Sequence, residues 1–395
     1  MEKLKIKFIN RINQVEQFEW DACACPENIG QNRPLDPFTT FRFLSALEES
    51  DSVGEASGWI PNHIIVQKGE IVIAVMPFYI KVHSQGEYIF DHSWANAYSQ
   101  AGGNYYPKLQ GAVPFTPVSG RRFLTKPGFE NEGVNALIKG ATALARQNNI
   151  SSIHITFCTH NETKLVKKFN FLSRESLQFH WFNEGYVDFE DYLERFSSRK
   201  RKVLRKERKV ASQFGGKIIQ LSGDQLEAKH WDKFWEFYQD TGARKWGTPY
   251  LKRSFFEILN NELRNDILLV LAIKDNNPIA GALNFIGGDT LFGRYWGATE
   301  EHSCLHYELC YYQAIDYALK NGLKRIEAGA QGEHKLARGY VPAITHSAHW
   351  FENENFSNAV DNFLNQEKTI VRDQFAMLNT ETPFKKKENF KWKKN

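Results

Sequence analysis

The residues best equipped to move protons sit together in one short stretch. Gly329 to Pro342 reads GAQGEHKLARGYVP and follows directly on a stretch that reads as a strand. Gln331 can both donate and accept a hydrogen bond. Glu333 and His334 are candidate base and acid, and Lys335 and Arg338 can hold a carboxylate or phosphate. Gly329, Gly332 and Gly339 permit positive φ and a close approach of backbone to ligand. The plain alternative is a well-bonded loop with solvated charges. Five such groups between Gln331 and Arg338, at the end of a strand, favour a site.

The helix before that strand adds one more carboxylate. Leu305, Leu309, Tyr312, Ile315 and Leu319 form an apolar stripe at helical spacing, and Glu308 falls inside it. Burial there raises a carboxylate's pKa, which suits a general base taking a proton from an attacking amine. The structural alternative is a Glu bonded to a Tyr, an Arg or a strand amide. His306, about a quarter-turn away, is a possible neighbour of the site. Upstream, FGRYWGA alternates, so Arg294 and Trp296 are expected on one strand face and Tyr295 on the other.

The first half offers binding rather than proton-transfer chemistry. FDHSWANAY brings together Asp91, His92 and Trp94, and NYYPKL supplies Tyr106 and Lys108. Together they can form an aromatic wall for a sugar, a peptide or an acyl chain, or equally a packed aromatic corner. GRRFLTKPGFENEG, with Arg121, Arg122 and Lys126, is a basic candidate seat for a pyrophosphate. The matching position in the second half, GATEEHSC, carries Glu300 and Glu301, which repel phosphate. Ser197 to Lys209, SSRKRKVLRKERK, has eight basic residues and one Glu. Arg199, Lys200, Arg201 and Arg205 can meet RNA phosphates, anionic lipid or a diphosphate-linked precursor. There is no Walker A loop, no dinucleotide fingerprint, no HExxH and no nucleophile elbow. His346 and His349 make too small a set for a metal, and no metal is expected.

These residues need a scaffold of some size. The chain has 395 residues, 42% apolar and 24% charged, with 30 Phe, 15 Tyr and 10 Trp, which is material for two cores. The net charge of +4 is uneven. The basic stretch carries +7 and the tail Phe384–Asn395 carries +5, so the remaining body is at −8. Five scattered cysteines indicate neither a disulfide framework nor a zinc site and fit a reduced, cytoplasmic setting. No membrane-length apolar run or signal peptide is apparent. A strand, helices, a hairpin, a strand, a helix and a strand follow in order up to Cys158, and a similar order recurs after Phe182–Val187. The reading is an α/β (α+β) chain of two tandem domains, 1–185 and 186–375, the second carrying a basic helix at 197–211. A Lys-rich tail follows at 376–395. Each domain combines an antiparallel meander with a β–helix–β crossover, the arrangement of GNAT-type acyltransferases.

The blocks FDHSWANAY, GGNYYPKLQGAVPFTPVSGRRFL, SSRKRKVLRKER, GRYWGATEEHSCLHYELCYYQAIDYAL and GAQGEHKLARGY resemble a bacterial family of predicted N-acyltransferases, named for peptidoglycan biosynthesis or recognition. That family resembles in turn the Fem-type peptidyltransferases, which carry two GNAT-like domains. The resemblance implies transfer of an acyl or aminoacyl group to an amine, with acyl-CoA or aminoacyl-tRNA as co-substrate. It implies a small-molecule or cell-wall-precursor acceptor, and tRNA or another anionic partner at the basic helix. Direct attack by an oriented amine suffices, without a covalent acyl-enzyme. A non-catalytic binding module for cell-wall fragments or anionic glycans is the competing class.

Overall fold

The computed structural model describes residues 3–28, 33–245, 249–329 and 332–385, with the side chains of 243–245 and of residue 333 left aside. Fifteen strands run in chain order: β1 (Leu4–Ile9), β2 (Trp59–Pro61), β3 (His63–Lys68), β4 (Ile71–Met76), β5 (Phe78–Lys81), β6 (Lys108–Gly111), β7 (Leu124–Thr125), β8 (Ser152–Cys158), β9 (Leu172–Phe182), β10 (Lys217–Leu221), β11 (Ile267–Lys274), β12 (Asn277–Gly287), β13 (Thr290–Ala298), β14 (Arg325–Glu327) and β15 (Val341–Phe351). Four of them form a small sheet, β1-β3-β4-β7. The others form one eleven-stranded sheet, β10-β11-β12-β13-β14-β9-β15-β8-β6-β5-β2. The two sheets share bent strands. Asn62 separates β2 from β3 and Pro77 separates β4 from β5, so each bent strand leaves one sheet and enters the other.

The strand order reads the same from both directions about β9 and β15. On one side a parallel pair, β6 with β8, is followed by antiparallel β15. On the other a parallel pair, β13 with β14, is followed by antiparallel β9. β9 and β15 pair with each other from Val341–His180 to His349–Leu172. Each therefore completes the sheet of the opposite half: β9 precedes the second half in sequence yet lies against β14, and β15 lies against β8. The crossover helices occupy matching positions, Glu130–Gln147 before β8 and the helical run from Leu305 to Lys320 before β14.

One face of the central strands is apolar. Leu109, Ile153, Ile155, Ala348 and Trp350 pack toward the Glu130–Gln147 helix, and Trp181, Ile326 and Leu291 pack toward the Leu305–Lys320 run. The opposite face is polar and still buried: Lys81, Lys108, Gln110, His154, Gln178, His180 and Glu327 all lie on it by register. Farther out, this second face is covered by a large apolar cluster from helices Gln17–Ala24, Phe41–Glu49, Ala228–Lys245 and Arg253–Glu262.

The chain between Gln110 and Leu124 is not one strand; its prolines break it, and only Lys108–Gly111 and Leu124–Thr125 pair. The basic helix, expected at 197–211, forms as Ser198–Ala211 after a separate short helix, Phe189–Glu194; Phe196 between them bridges to Phe384. Beyond β15 the chain forms a 27-residue helix, Glu354–Thr380, across the start of the stretch read as a tail. Residues 386–395 of that stretch lie outside the described residues.

Candidate active site where two strands part

β13 and β14 pair over only three positions, Thr290–Arg325 to Phe292–Glu327. β14 then ends and β13 continues to Ala298, so the sheet opens beside Gly293. A bulge between Leu283 and Asn284 inserts Arg294 as an extra residue in β13. The bulge overturns the expected alternation. Arg294 and Trp296 do not share a face: Arg294 turns toward Phe38 and donates to the Phe115 carbonyl at 2.8 Å. Tyr295 shares that side and meets Tyr238 at 5.4 Å between rings. Trp296 lies on the other side, 5.1 Å from the His306 ring. The opening thus has an Arg294–Tyr295 wall on one face and a Trp296–His306 wall on the other.

The loop after β14 closes over this opening. Glu333–Arg338 forms a 3-10 turn, with Gly332 at φ +118° and Gly339 at φ +80°. A Cβ on Gly339 would sit 1.9 Å from the Tyr192 hydroxyl, so this turn excludes any larger residue. Lys335 is buried and donates to the Gly329 carbonyl at 2.9 Å. Burial pushes its pKa down to about 8; neighbouring Cys310 opposes the shift and Arg294 adds to it. His334 is exposed and shares a 2.8 Å bond with the Tyr311 hydroxyl. Arg338 lies over the Tyr307 ring at 3.5 Å, donates to the His334 carbonyl and pairs with Glu207 at 2.9 Å. Its guanidinium thus ties the loop to the basic helix. Gln331 lies outside the described residues, as does the side chain of Glu333.

Glu308 is buried as its position in the stripe predicts, inside a π-turn, Glu308–Tyr312. It accepts two bonds from Arg208, at 2.9 and 3.2 Å, and one from the Gln313 amide at 2.8 Å. Arg208 also binds Asp316 at 2.6 Å and stacks over Phe189. A carboxylate gripped by a guanidinium fork has its lone pairs engaged. This geometry fits the structural alternative, a bolt between the basic helix and the crossover helix.

Glu327 fits a base better, and sequence reading passed over it. It is the last residue of β14, 3% exposed, and neither carboxylate oxygen has a hydrogen-bond partner among the described residues. Arg325 lies 3.3 Å away and His180 3.9 Å away. Burial raises its pKa, partly offset by Arg325, Arg294 and Arg122. A signal existed: Glu327 is the one acid of KRIEAGA, the stretch that reads as a strand directly before the site loop.

In the first half Asp91, Tyr106 and Lys108 do converge, but in a packed interior. Lys108 is fully buried, donates to Glu87 at 2.7 Å and Ser84 at 2.8 Å, and pairs closely with Asp91. Tyr106 bonds Ser84 at 2.7 Å. Tyr105 links Asp91 to His154, which meets His349 at 2.8 Å. Trp94 packs on both histidines. His92 points outward beside Phe90, away from this group. Two of the three cations read as a basic seat in the same half are engaged by the chain itself. Arg122 is 1% exposed and donates to the carbonyls of Thr156, Val118 and Arg121. Arg121 donates to Ala24 at 2.7 Å. Residues 118–122 thus lie against β8 just where β6 and β8 part, and they fill the opening that matches the one at Gly293.

The basic helix is partly neutralised. Arg201 pairs with Glu194, and Arg205 with Glu190 at 2.5 Å. Arg199 and Lys200, with Val203 and Leu204, face Ala337 of the site loop across a recess of about 320 Å³. Among the described residues no three His, Cys, Asp or Glu side chains are grouped to hold a metal, and no helix is long and apolar enough to cross a membrane.

A polar opening thus lies at a strand parting, in a sheet of two pseudo-symmetric halves. The chain belongs to the FemAB-like family, described by peptidoglycan biosynthesis or recognition, which it matches over residues 11–386. Among solved structures it is similar to FemX, at 13% identity and TM-score 0.52, covering 88% of this chain and 98% of that one. It is also similar to a Bacteroides thetaiotaomicron protein of unknown function, at 12% identity, TM-score 0.49 and coverage of 87% and 99%. A tandem GNAT protein from the clavulanic acid biosynthesis pathway follows, at 12% identity, TM-score 0.45 and coverage of 89% and 99%. No curated protein matches. The fold is α/β, with two similar halves and mixed, mostly antiparallel strands flanked by helices.

Proposed function

We propose that this chain is an N-acyltransferase that moves an acyl or aminoacyl group onto an amine at the opening between β13 and β14. The observation that carries this reading is a buried carboxylate, Glu327, with no hydrogen-bond partner among the described residues, at the strand end where the sheet opens, with buried Lys335 on the loop beyond it and Arg294 within the field of both. Glu327 takes the proton that the attacking amine must lose. The amine nitrogen then adds to the donor carbonyl, and Lys335 stabilises the oxygen as it becomes negative. Collapse breaks the bond to the leaving group, which takes the proton back from Glu327 and departs as the thiol of CoA or a ribose hydroxyl of tRNA. Trp296, His306 and His334 wall the donor side, and Arg294 and Tyr295 wall the acceptor side. The recess beside Arg199 and Lys200 adjoins the loop and suits the donor's phosphates, which favours a donor carried on a polyanion. The family description favours a cell-wall precursor as acceptor.

The test is a donor screen, acyl-CoAs against aminoacyl-tRNAs, with cell-wall precursors and small amines as acceptors and mass spectrometry as readout. A product mass from the wild type that is missing with Glu327→Gln supports the reading. Equal turnover by both proteins removes Glu327 from it. Binding of a cell-wall fragment with no product from any donor assigns the chain to the binding-module class.

A further inference from the structure

The C-terminal helix Glu354–Thr380 turns a row of apolar side chains toward solvent. Phe356, Phe363, Ile370 and Met377 recur every seven residues. Seven residues fall about 20° short of two full α-helical turns, so the row winds slowly around the helix. Its first member packs on Tyr98 and Phe351, at 4.7 and 5.2 Å between rings. The others leave the protein: Phe363 is 43% exposed, Ile370 67% and Met377 53%. The helix is anchored by Val360, Leu364 and Leu378, while Asp361, Asn365, Lys368 and Arg372 line a groove of about 600 Å³ at its side. The row extends beyond the helix. Phe363 touches Trp94, Arg174 lies over Trp94 at 4.8 Å, and Arg174 also holds the carbonyl of Phe90, itself 57% exposed.

We propose that this face docks on an anionic lipid bilayer. The occupant follows from what flanks the row. Asn362, Gln366, Thr369 and Ala376 are uncharged; Asp373 and Glu367 are the charged exceptions, and Glu367 is neutralised by Arg174 at 2.7 Å, so a shallow apolar insertion meets little opposition. The chain beyond the helix reads FKKKENFKWKKN, six Lys and one Glu interleaved with two Phe and a Trp. Lysines are drawn to anionic headgroups, and aromatic rings settle at the interface between headgroup and acyl chain. The cationic segment thus follows the apolar row directly in the sequence. A second copy is the less suited occupant. The helix's own cations, Lys368 and Arg372, already bind Glu175 and leave no free partner for an acidic residue of a paired helix.

The experiment is co-sedimentation of the full chain with vesicles of phosphatidylcholine alone and of phosphatidylcholine mixed with phosphatidylglycerol. Binding is expected to the mixed vesicles, at least about tenfold weaker to the neutral ones, and reduced by high salt. The variant Phe363→Ser/Ile370→Ser/Met377→Ser should lose about tenfold or more while its circular dichroism and thermal unfolding stay as in the wild type, since all three side chains are exposed. Lys386→Glu/Lys387→Glu/Lys393→Glu/Lys394→Glu should lose the preference for phosphatidylglycerol. Equal binding of the triple serine variant and the wild type overturns the proposal. So does a wild-type dimer in free solution that the same variant dissociates, which assigns the face to self-association.

Discussion

Lys335 holds its ammonium 2.9 Å from the Gly329 carbonyl and within the field of Arg294, at the opening where β13 leaves β14. With its pKa pushed down to about 8, it is largely charged at neutral pH and loses that charge just above it. If it stabilises the developing oxyanion, turnover falls as pH rises through about 8. Lys335→Arg should move that limb upward, because guanidinium stays charged. Lys335→Met should cost about 100-fold or more in kcat. A pH–rate profile whose alkaline limb is unchanged in Lys335→Arg removes Lys335 from the chemistry.

Glu327 should trade stability for activity. Its folded-state pKa is raised, so the fold favours its protonated form. The stability it contributes is complete below the ordinary carboxylate range and is lost as pH rises through the folded value. Glu327→Gln should therefore melt a few degrees above the wild type at neutral pH, and the difference should vanish in acid. Turnover should drop by about 100-fold or more. Differential scanning calorimetry across pH, alongside the turnover assay, reads both effects.

Glu308 and Arg208 should behave as a structural pair. Arg208→Ala leaves a buried carboxylate with one amide partner, and its cost should be about 3 kcal/mol, near the lower end for a broken buried pair because Arg208 is partly exposed. Glu308→Gln should lower the melting temperature less and keep turnover. A Glu308→Gln variant that melts like the wild type but has lost turnover makes Glu308 the base instead.

Lys108 is the counter-ion for two buried carboxylates. Lys108→Met strands Glu87 and Asp91 and should destabilise by about 3–5 kcal/mol. Adding Glu87→Gln and Asp91→Asn should recover much of that loss, because the charges go together. Urea unfolding of the single and triple variants separates this charge balance from a packing defect, which the added changes would not mend.

Much of the local structure could be read from pattern. The Glu130–Gln147 helix and the β3–β4 hairpin carry plain periodicity, and the glycines of the Gly329 loop mark its turns. β9 and β15 could not be placed that way. Ser176, Gln178 and His180 alternate with Leu177, Phe179 and Trp181, which reads as a half-solvated strand. The polar side is in fact buried as well as the apolar one, at the centre of the sheet, and its partners lie far away in sequence. Glu308 shows the matching difficulty among site residues: its burial was legible, but the Arg208 fork that occupies it comes from a helix a hundred residues away. Arg294 was placed on the wrong face because a bulge leaves no mark in a two-residue period.

The exchanged strands have a consequence for how the chain is made. A ribosome that has released the first half has not released the neighbour of β8, because that neighbour is β15, residues Val341–Phe351. The nascent first half must keep an unpaired strand edge while most of the second half is synthesised, exposed to any other chain in search of a partner. Closure waits for contacts nearly two hundred residues apart, such as Ser152 with Phe351, and long-range pairing of this kind is slow. Cutting the gene at the middle therefore yields two fragments that each lack a strand the other carries, and they should regain their structure only when made together.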